Sequence, residues 1–288
     1  MRTFLIATDF SAASRNASIY GLKLAREMQA KVVLLSVFQV PLPAPGSMIV
    51  VTPDDMRQIA EDHLQAEAAA LGGENIMPFE TRCLQGVPAT AIAKYAADTG
   101  AELIIAGMKG AGKAIRRIFG TTVSDLFRQS NIPVLVIPES IGFTRPESVI
   151  LATDLAGDTD VHVLDELKSI IGTFHSRLFV VRVVKNRTEE WQEVLNTPET
   201  LKLAVRGIES QFEYLVDKDI THALNEFSAT HGVQMIALIP HKHSWSEQLF
   251  AKSETTDMLF HSRVPLLILP EKKYSDLFNL GKRAVEQW

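Results

Sequence analysis

The sequence predicts an α/β fold made of two tandem doubly wound parallel-sheet domains related by internal duplication. Three observations carry this. The chain has 288 residues, more than a typical single domain holds. Short continuous Val/Ile/Leu runs alternate with longer helical segments, as in βαβ units. The whole pattern then occurs a second time.

The runs of the first half are "FLIAT", "VVLLSV", "PFETRC", "ELIIAG" and "PVLVIP". They are apolar throughout rather than alternating, which means strands covered on both faces. Helical segments are expected between them at Ser14–Gln29, Pro53–Leu71, Val87–Asp98 and Thr121–Gln129. In the second half the runs fall near Val149–Ala152, Leu178–Val184, Phe212–Val216, Met235–Ile239 and Leu266–Leu269.

The repeat is visible in the residues. "FLIATDF" at Phe4–Phe10 returns as "VILATDL" at Val149–Leu155, and "KVVLLSVFQV" at Lys31–Val40 is echoed by "SRLFVVRVVK" at Ser176–Lys185, both at an offset of 145. "NIPVLVIPE" at Asn131–Glu139 matches "RVPLLILPE" at Arg263–Glu271 at an offset of 132, so the second half is 13 residues shorter inside. The shortening is assigned to the Pro-rich stretch Val40–Ser47 and the residues directly after it. With the join near Glu139–Pro146, the domains are expected at 1–143 and 144–288, the second including a C-terminal tail.

Composition narrows the function classes. A formal charge of −5 and an isoelectric point near 5.9 argue against general nucleic-acid or membrane-surface binding, which shows as a basic excess. The single cysteine, Cys83, excludes an intramolecular disulfide and points to a reducing compartment. No apolar run approaches the ~18 residues of a membrane span, so the chain reads as soluble and cytoplasmic.

The loop after the fourth strand, "GMKGAGKAIRRIFGTTVSD" (Gly107–Asp125), carries the chemistry. Gly107, Gly112 and Lys113 nearly spell a Walker A loop, but Ala114 stands where a magnesium-binding hydroxyl is needed. The motif also comes after the fourth strand, not the first. A longer spacing fits without mismatch: Gly107, Gly110, Gly120 and Thr121 form G-x2-G-x9-G-[ST]. Glycines let a backbone run against a ligand without Cβ atoms between, and a helix starting at Thr121 or Thr122 offers hydroxyls and free N–H groups to phosphate. Thr122 and Asp125 also read as a capping box. Spacing alone leaves open whether these glycines hold a ligand or merely shape a loop.

"TDFS" after the first strand, "GMKGAGKAIRRIFGTT" after the fourth and "VSDLFRQSNIPVLVIP" at the end of the first half resemble the universal stress protein family, and the duplicated layout is similar to its tandem-domain members. The glycine spacing is the mark of that family's ATP-binding branch. The resemblance implies ATP, with or without magnesium, in the first domain. It implies Asp9 beside ribose and adenine and Val37 reading the adenine edge through its backbone. Gly107, Met108, Lys109 and Gly110 would run along the ribose and first phosphates, and Gly120, Thr121, Thr122 and Val123 would cradle the remaining phosphates. Lys113, Arg116 and Arg117 either add cationic contacts or form a solvated face. Related single-domain proteins pair through their sheets, so the two halves are expected to form that pair within one chain; further association into a homodimer is left open.

The second half departs from this pattern. At the offset of 132, Gly107 becomes Ile239, Gly110 becomes Lys242, Gly120 becomes Lys252 and Thr121 becomes Ser253, while Pro240 removes an N–H from the loop. Asp154 still matches Asp9. The second domain is therefore expected not to bind ATP in the same way, and to act as structural partner, regulator or protein-binding surface. His241 and His243 stand two apart in the same loop without acidic or cysteine partners, so no metal site is expected. The tail places Tyr274, Leu277, Phe278, Ala284, Val285 and Trp288 at helical spacing, for packing on its own domain or on a partner.

No catalytic constellation is evident. The leading expectation is a nucleotide-binding stress-response or regulatory module. The alternatives are an interaction scaffold with a vestigial nucleotide site and a slow ATP-hydrolysing or autophosphorylating enzyme.

Overall fold

The computed structural model describes residues 1–40, 52–72, 78–109, 121–153, 161–188, 199–239 and 262–270. In the first half the order is β1 (Thr3–Thr8), α1 (Ala12–Glu27), β2 (Lys31–Phe38), α2 (Pro53–Leu71), β3 (Phe79–Gln85), α3 (Pro88–Thr99), β4 (Leu103–Met108), α4 (Thr121–Gln129) and β5 (Val134–Pro138). The second half continues with β6 (Ser148–Ala152), a 3-10 turn (Val161–Leu164), α5 (Asp165–Phe174), β7 (Arg177–Val184), α6 (Glu199–Ala204), β8 (Ser210–Val216), α7 (Ile220–His231), β9 (Met235–Leu238) and β10 (Leu266–Ile268).

The described strands form one ten-stranded sheet in the order β3-β2-β1-β4-β5-β10-β9-β6-β7-β8. Each half is parallel throughout and the two share one internal order, so this is the expected doubly wound α/β architecture twice over. The halves meet edge to edge, where β5 and β10 run antiparallel with Val134 opposite Ile268, Leu135 opposite Leu267 and Val136 opposite Leu266. A strand edge left open there would invite pairing with another chain; each half closes the other's.

Uninterrupted apolar strands feed two layers. Phe4, Ile6, Leu34 and Ile105 point to the layer of α1, α2 and α5, whereas Leu5, Val33, Leu35 and Ile104 point to the layer of α3, α4 and α7. Both layers run through the β5–β10 joint: Leu135 and Leu267, each fully buried, lie in the first. Helix ends are set locally. Ser11 caps α1 by accepting the Ser14 N–H at 3.2 Å, so the helix starts at Ala12, two residues before the sequence expectation. Thr52 and Asp55 form a reciprocal capping box on α2. Gly100 and Gly232 close α3 and α7 in the left-handed region, with φ of 64° and 60°, at equivalent places in the two halves.

The pairing register corrects the repeat. Thr3 lies opposite Lys31, and Ser148 lies opposite Arg177, so the second strands correspond at an offset of 146, not 145. Between second and third strands lie 40 residues in the first half and 25 in the second. The shortening therefore sits in the connection that contains the Pro-rich stretch, is larger than the net difference, and is partly offset by single residues gained on either side.

The linker between β5 and β6 is fastened to α1. The Asn16 side-chain amide donates to the Pro138 and Ile141 carbonyls at 3.0 and 2.9 Å. Phe143 meets Tyr20 edge to face at 5.0 Å, and Arg145 pairs with Glu27 at 3.1 Å while lying over the Phe174 ring of α5. The expected domain boundary after residue 143 falls in this linker.

Candidate functional site

In the first half the chain leaves β1 for α1 and one layer, and leaves β4 for α4 and the other. The carboxyl ends of these adjacent strands thus diverge, which opens a crevice at the topological switch point. Thr8 pairs with Ser36 and Ala7 with Ala106. Continuing the register, by one residue towards β2 and by two towards β4, sets Asp9 level with Val37 on one side and Met108 on the other. Three residues 28 and 71 positions apart in the chain so reach one edge of the sheet.

The turn after β1 is held by its own polar groups. The Thr8 hydroxyl accepts the Phe10 N–H at 3.1 Å and meets the Ser14 hydroxyl at 3.2 Å. Asp9 is exposed, and its Oδ1 accepts the Ser11 N–H at 3.0 Å. Partial burial works to raise the Asp9 carboxyl, but hydrogen bonds from the Ser11 and Ser14 hydroxyls and the Ser11 N–H outweigh it, so the group stays below its ordinary range and charged. Phe10 adopts φ of 63°, and its ring meets His63 of α2 edge-on at 5.6 Å. Alongside, Arg15 of α1 pairs with Glu67 of α2, whose side chain is only 2% exposed. Helix α2 thereby braces the start of α1.

Gly107 shows why β4 ends as it does. A Cβ there would lie 2.3 Å from the Ala13 carbonyl oxygen and 2.7 Å from the Ser14 nitrogen. The space is filled by the first turn of α1, so the glycine is required by helix packing, whereas spacing left open whether it shapes the chain or clears a ligand and the resemblance implied the latter. Met108 is buried, its carbonyl accepting the Glu139 N–H at 2.8 Å, and Lys109 comes next at the mouth of the crevice. Val37 is half-buried against the layer of α3 and α4.

Across the crevice the described part of α4 runs from Thr121. Thr122 is exposed and lies inside the first turn, so the anticipated Thr122–Asp125 capping box does not start this helix. Val123 is half-buried and Leu126 fully buried, which anchors the helix with its first turn at the strand ends. First-turn N–H groups have no partner within a helix and carry its positive end. Gly110 and Gly120, with Lys113, Arg116 and Arg117, lie outside the described residues.

First-turn amides and the Thr122 hydroxyl match phosphate oxygens, and a charged, exposed Asp9 matches sugar hydroxyls. The hydroxyls of Thr8 and Ser14, the His63 edge and the role of Gly107 were not foreseen; the run of small residues Ser11–Ser14 was the available sign of a close approach.

In the second half, Thr153 is buried as Thr8 is. Ile239, one residue beyond the Ala152–Leu238 pair, occupies the place of Gly107 and is 3% exposed within the core. A helix placed like α1 would collide with that side chain, and the described helical part begins only at Val161. Asp154, Pro240, His241, Lys242, His243, Lys252, Ser253 and the tail residues Tyr274–Trp288 lie outside the described residues. Among those described, no group of three metal-ligating side chains converges, and no helix is long and apolar enough to cross a membrane. Cys83 is half-buried on β3, and burial pushes its thiol up.

Comparison with known proteins bears on the fold. The chain is 27% identical over 140 residues to a universal stress protein of Methanocaldococcus jannaschii, covering 47% of this chain and 81% of the relative. The crystal structure of a universal stress protein from Archaeoglobus fulgidus DSM 4304 superposes with a TM-score of 0.69 over 94% of this chain and 98% of its own, at 14% identity. A functionally unknown protein from Pseudomonas aeruginosa PAO1 gives 0.55 over 94% and 93%, at 13% identity. At such identities the likeness is one of fold, and it runs through both halves. Residues 1–138 match the model of the universal stress protein family.

Proposed function

We propose that the chain is a tandem universal stress protein whose first half binds an adenine nucleotide, ATP, at the β1–β4 crevice, and whose second half has lost the equivalent site. The observation that carries this reading is the convergence of Asp9, Val37 and Met108 at one level of the sheet, at the end of the strand that α4 follows in the chain. Asp9 accepts the ribose hydroxyls, the backbone around Val37 meets the adenine edge, and Met108, Lys109 and Gly110 line the ribose and first phosphates. Gly120, Thr121, Thr122 and Val123 hold the remaining phosphates, with magnesium as their counter-ion when it is present. In the second half Ile239 fills the wall against which such a site is built.

Occupancy of the site is the signal: the nucleotide ties β1, β4 and α4 together, and α1 carries that state to the linker through Asn16. The function is regulatory, as a stress-response module. Protein purified, denatured and analysed by mass spectrometry should release adenine nucleotide, and the Gly120→Val and Asp9→Ala variants should not. Absence of nucleotide from wild type, together with no ATP binding in the micromolar range (about −8 kcal/mol), would leave the scaffold reading. Rapid turnover of bound ATP would make the protein an enzyme instead.

A further inference from the structure

The contact that ties Arg2 of the first half to α5 of the second holds a buried carboxylate across the joint. The Arg2 guanidinium bridges three acceptors: Glu102 of its own half at 2.8 Å, and the Ser169 hydroxyl and Glu166 Oε2 across the joint. The Glu166 side chain is only 6% exposed, while Arg2 is 22% and Glu102 47% exposed. Among the described residues Glu166 Oε1 is buried and accepts no hydrogen bond. Among the described residues the carboxylate therefore has one cation, supplied by the other half, and one oxygen left unmatched. A half-satisfied buried charge of this kind is costly.

We propose that this contact is a proton-linked latch between the two halves, which takes up a proton at Glu166 when they are docked and loosens when the proton leaves. The proton has a path. A groove of about 490 Å³ lined by Arg2, Glu102, Asn131, Asp165, Glu166 and Ser169 opens beside the pair. Among the described residues, the charged groups around Glu166 are Arg2 before β1, Glu102 before β4 and Asp165 on α5 itself; the described lining from the 3-10 turn and the lead-in to β5 is Val163 and Asn131, neither charged. Burial pushes the Glu166 carboxyl up to about 7, against the pull of Arg2 and with Glu102 adding to the rise.

Linkage sets the sign. Undocked, Glu166 is solvated and ionises near its ordinary 4.5; docked, it holds its proton to about 7. The docked state thus binds more protons between these values and is favoured as pH falls through neutrality. Above about 7 the full cost of the buried charge is felt. In this the latch is independent of nucleotide in the first half.

The test compares wild type with Glu166→Gln in urea unfolding between pH 5.5 and 7.5. The folding equilibrium of wild type should fall about twentyfold relative to the variant over that interval and level off above pH 8. Amide protection, corrected for the pH dependence of exchange chemistry, should fall in α5 and at the β5–β10 joint while that of β1 to β3 stays constant. Parallel pH profiles for the two proteins, or a uniform change across all strands, would overturn the latch. Arg2→Gln provides the second arm if the first variant fails to fold: without its cation the carboxyl should titrate higher, and a midpoint that stays or drops would equally refute it.

Discussion

Replacing Gly107 by alanine is the sharpest probe of how the site is built. The added Cβ would stand 2.3 Å from the Ala13 oxygen, 2.4 Å from the Ala13 carbonyl carbon and 2.7 Å from the Ser14 nitrogen. All three are backbone atoms of a capped helix turn, so no side chain can swing away to make room. Helix α1 cannot shift freely either. Gly21 sits with its own Cβ position 2.8 Å from Ile6 Cδ1, and Asn16 is tied to the linker. Overpacking costs about 1–3 kcal/mol where neighbours can relax, and this site belongs at the upper end. For a chain of this size that is a fall in melting temperature of roughly 5–10 °C. The assay is thermal and urea unfolding of protein stripped of nucleotide. If Gly107 served only to clear a ligand, the stripped variant would be as stable as wild type and only binding would suffer. That result would refute the packing argument.

Other substitutions test the surroundings of the site. Asn16→Ala removes both hydrogen bonds to the linker; the Pro138 carbonyl keeps the Ile141 N–H while the Ile141 carbonyl loses its Asn16 donor, and a loss of about 1–3 kcal/mol in urea unfolding is expected. Tyr20→Phe should leave stability unchanged or raise it by about 1 kcal/mol, because the Tyr20 hydroxyl is buried with no partner among the described residues. A clear loss in the melting curve would mean that the hydroxyl is bonded after all.

Much of the fold was legible because its strands are covered on both faces. Runs such as "FLIAT" and "ELIIAG" mark such strands without help from tertiary structure, and the helices carry their own start signals, caps at Thr52 and Asp219 and the proline Pro88 in the first turn of α3. Register was written in the pattern as well, one residue away from the offset of 145. "KVVLLSVF" laid on "RLFVVRVV" agrees in polar and apolar character at every position, better than on "SRLFVVRV", and the pairing of Ser148 with Arg177 makes the same choice. The candidate site residues were picked out by glycine spacing and by resemblance to a family. Spacing could not show that the neighbour of Gly107 is the backbone of Ala13, 94 residues earlier. Nor could it show the link from Arg2 to Glu166, since an acidic residue in a first helical turn is ordinary by itself. Long-range contacts that depend on one missing methyl or one unmatched oxygen leave no local trace.

The central claim is that one of the two halves holds ATP. Isothermal titration of nucleotide-free protein tests it most directly, because it counts sites as well as measuring affinity. The expected result is one ATP per chain at micromolar affinity or better, abolished by Gly120→Val and untouched by Lys242→Ala in the second half. Two sites per chain, none, or a single site that survives Gly120→Val and fails with Lys242→Ala would contradict it.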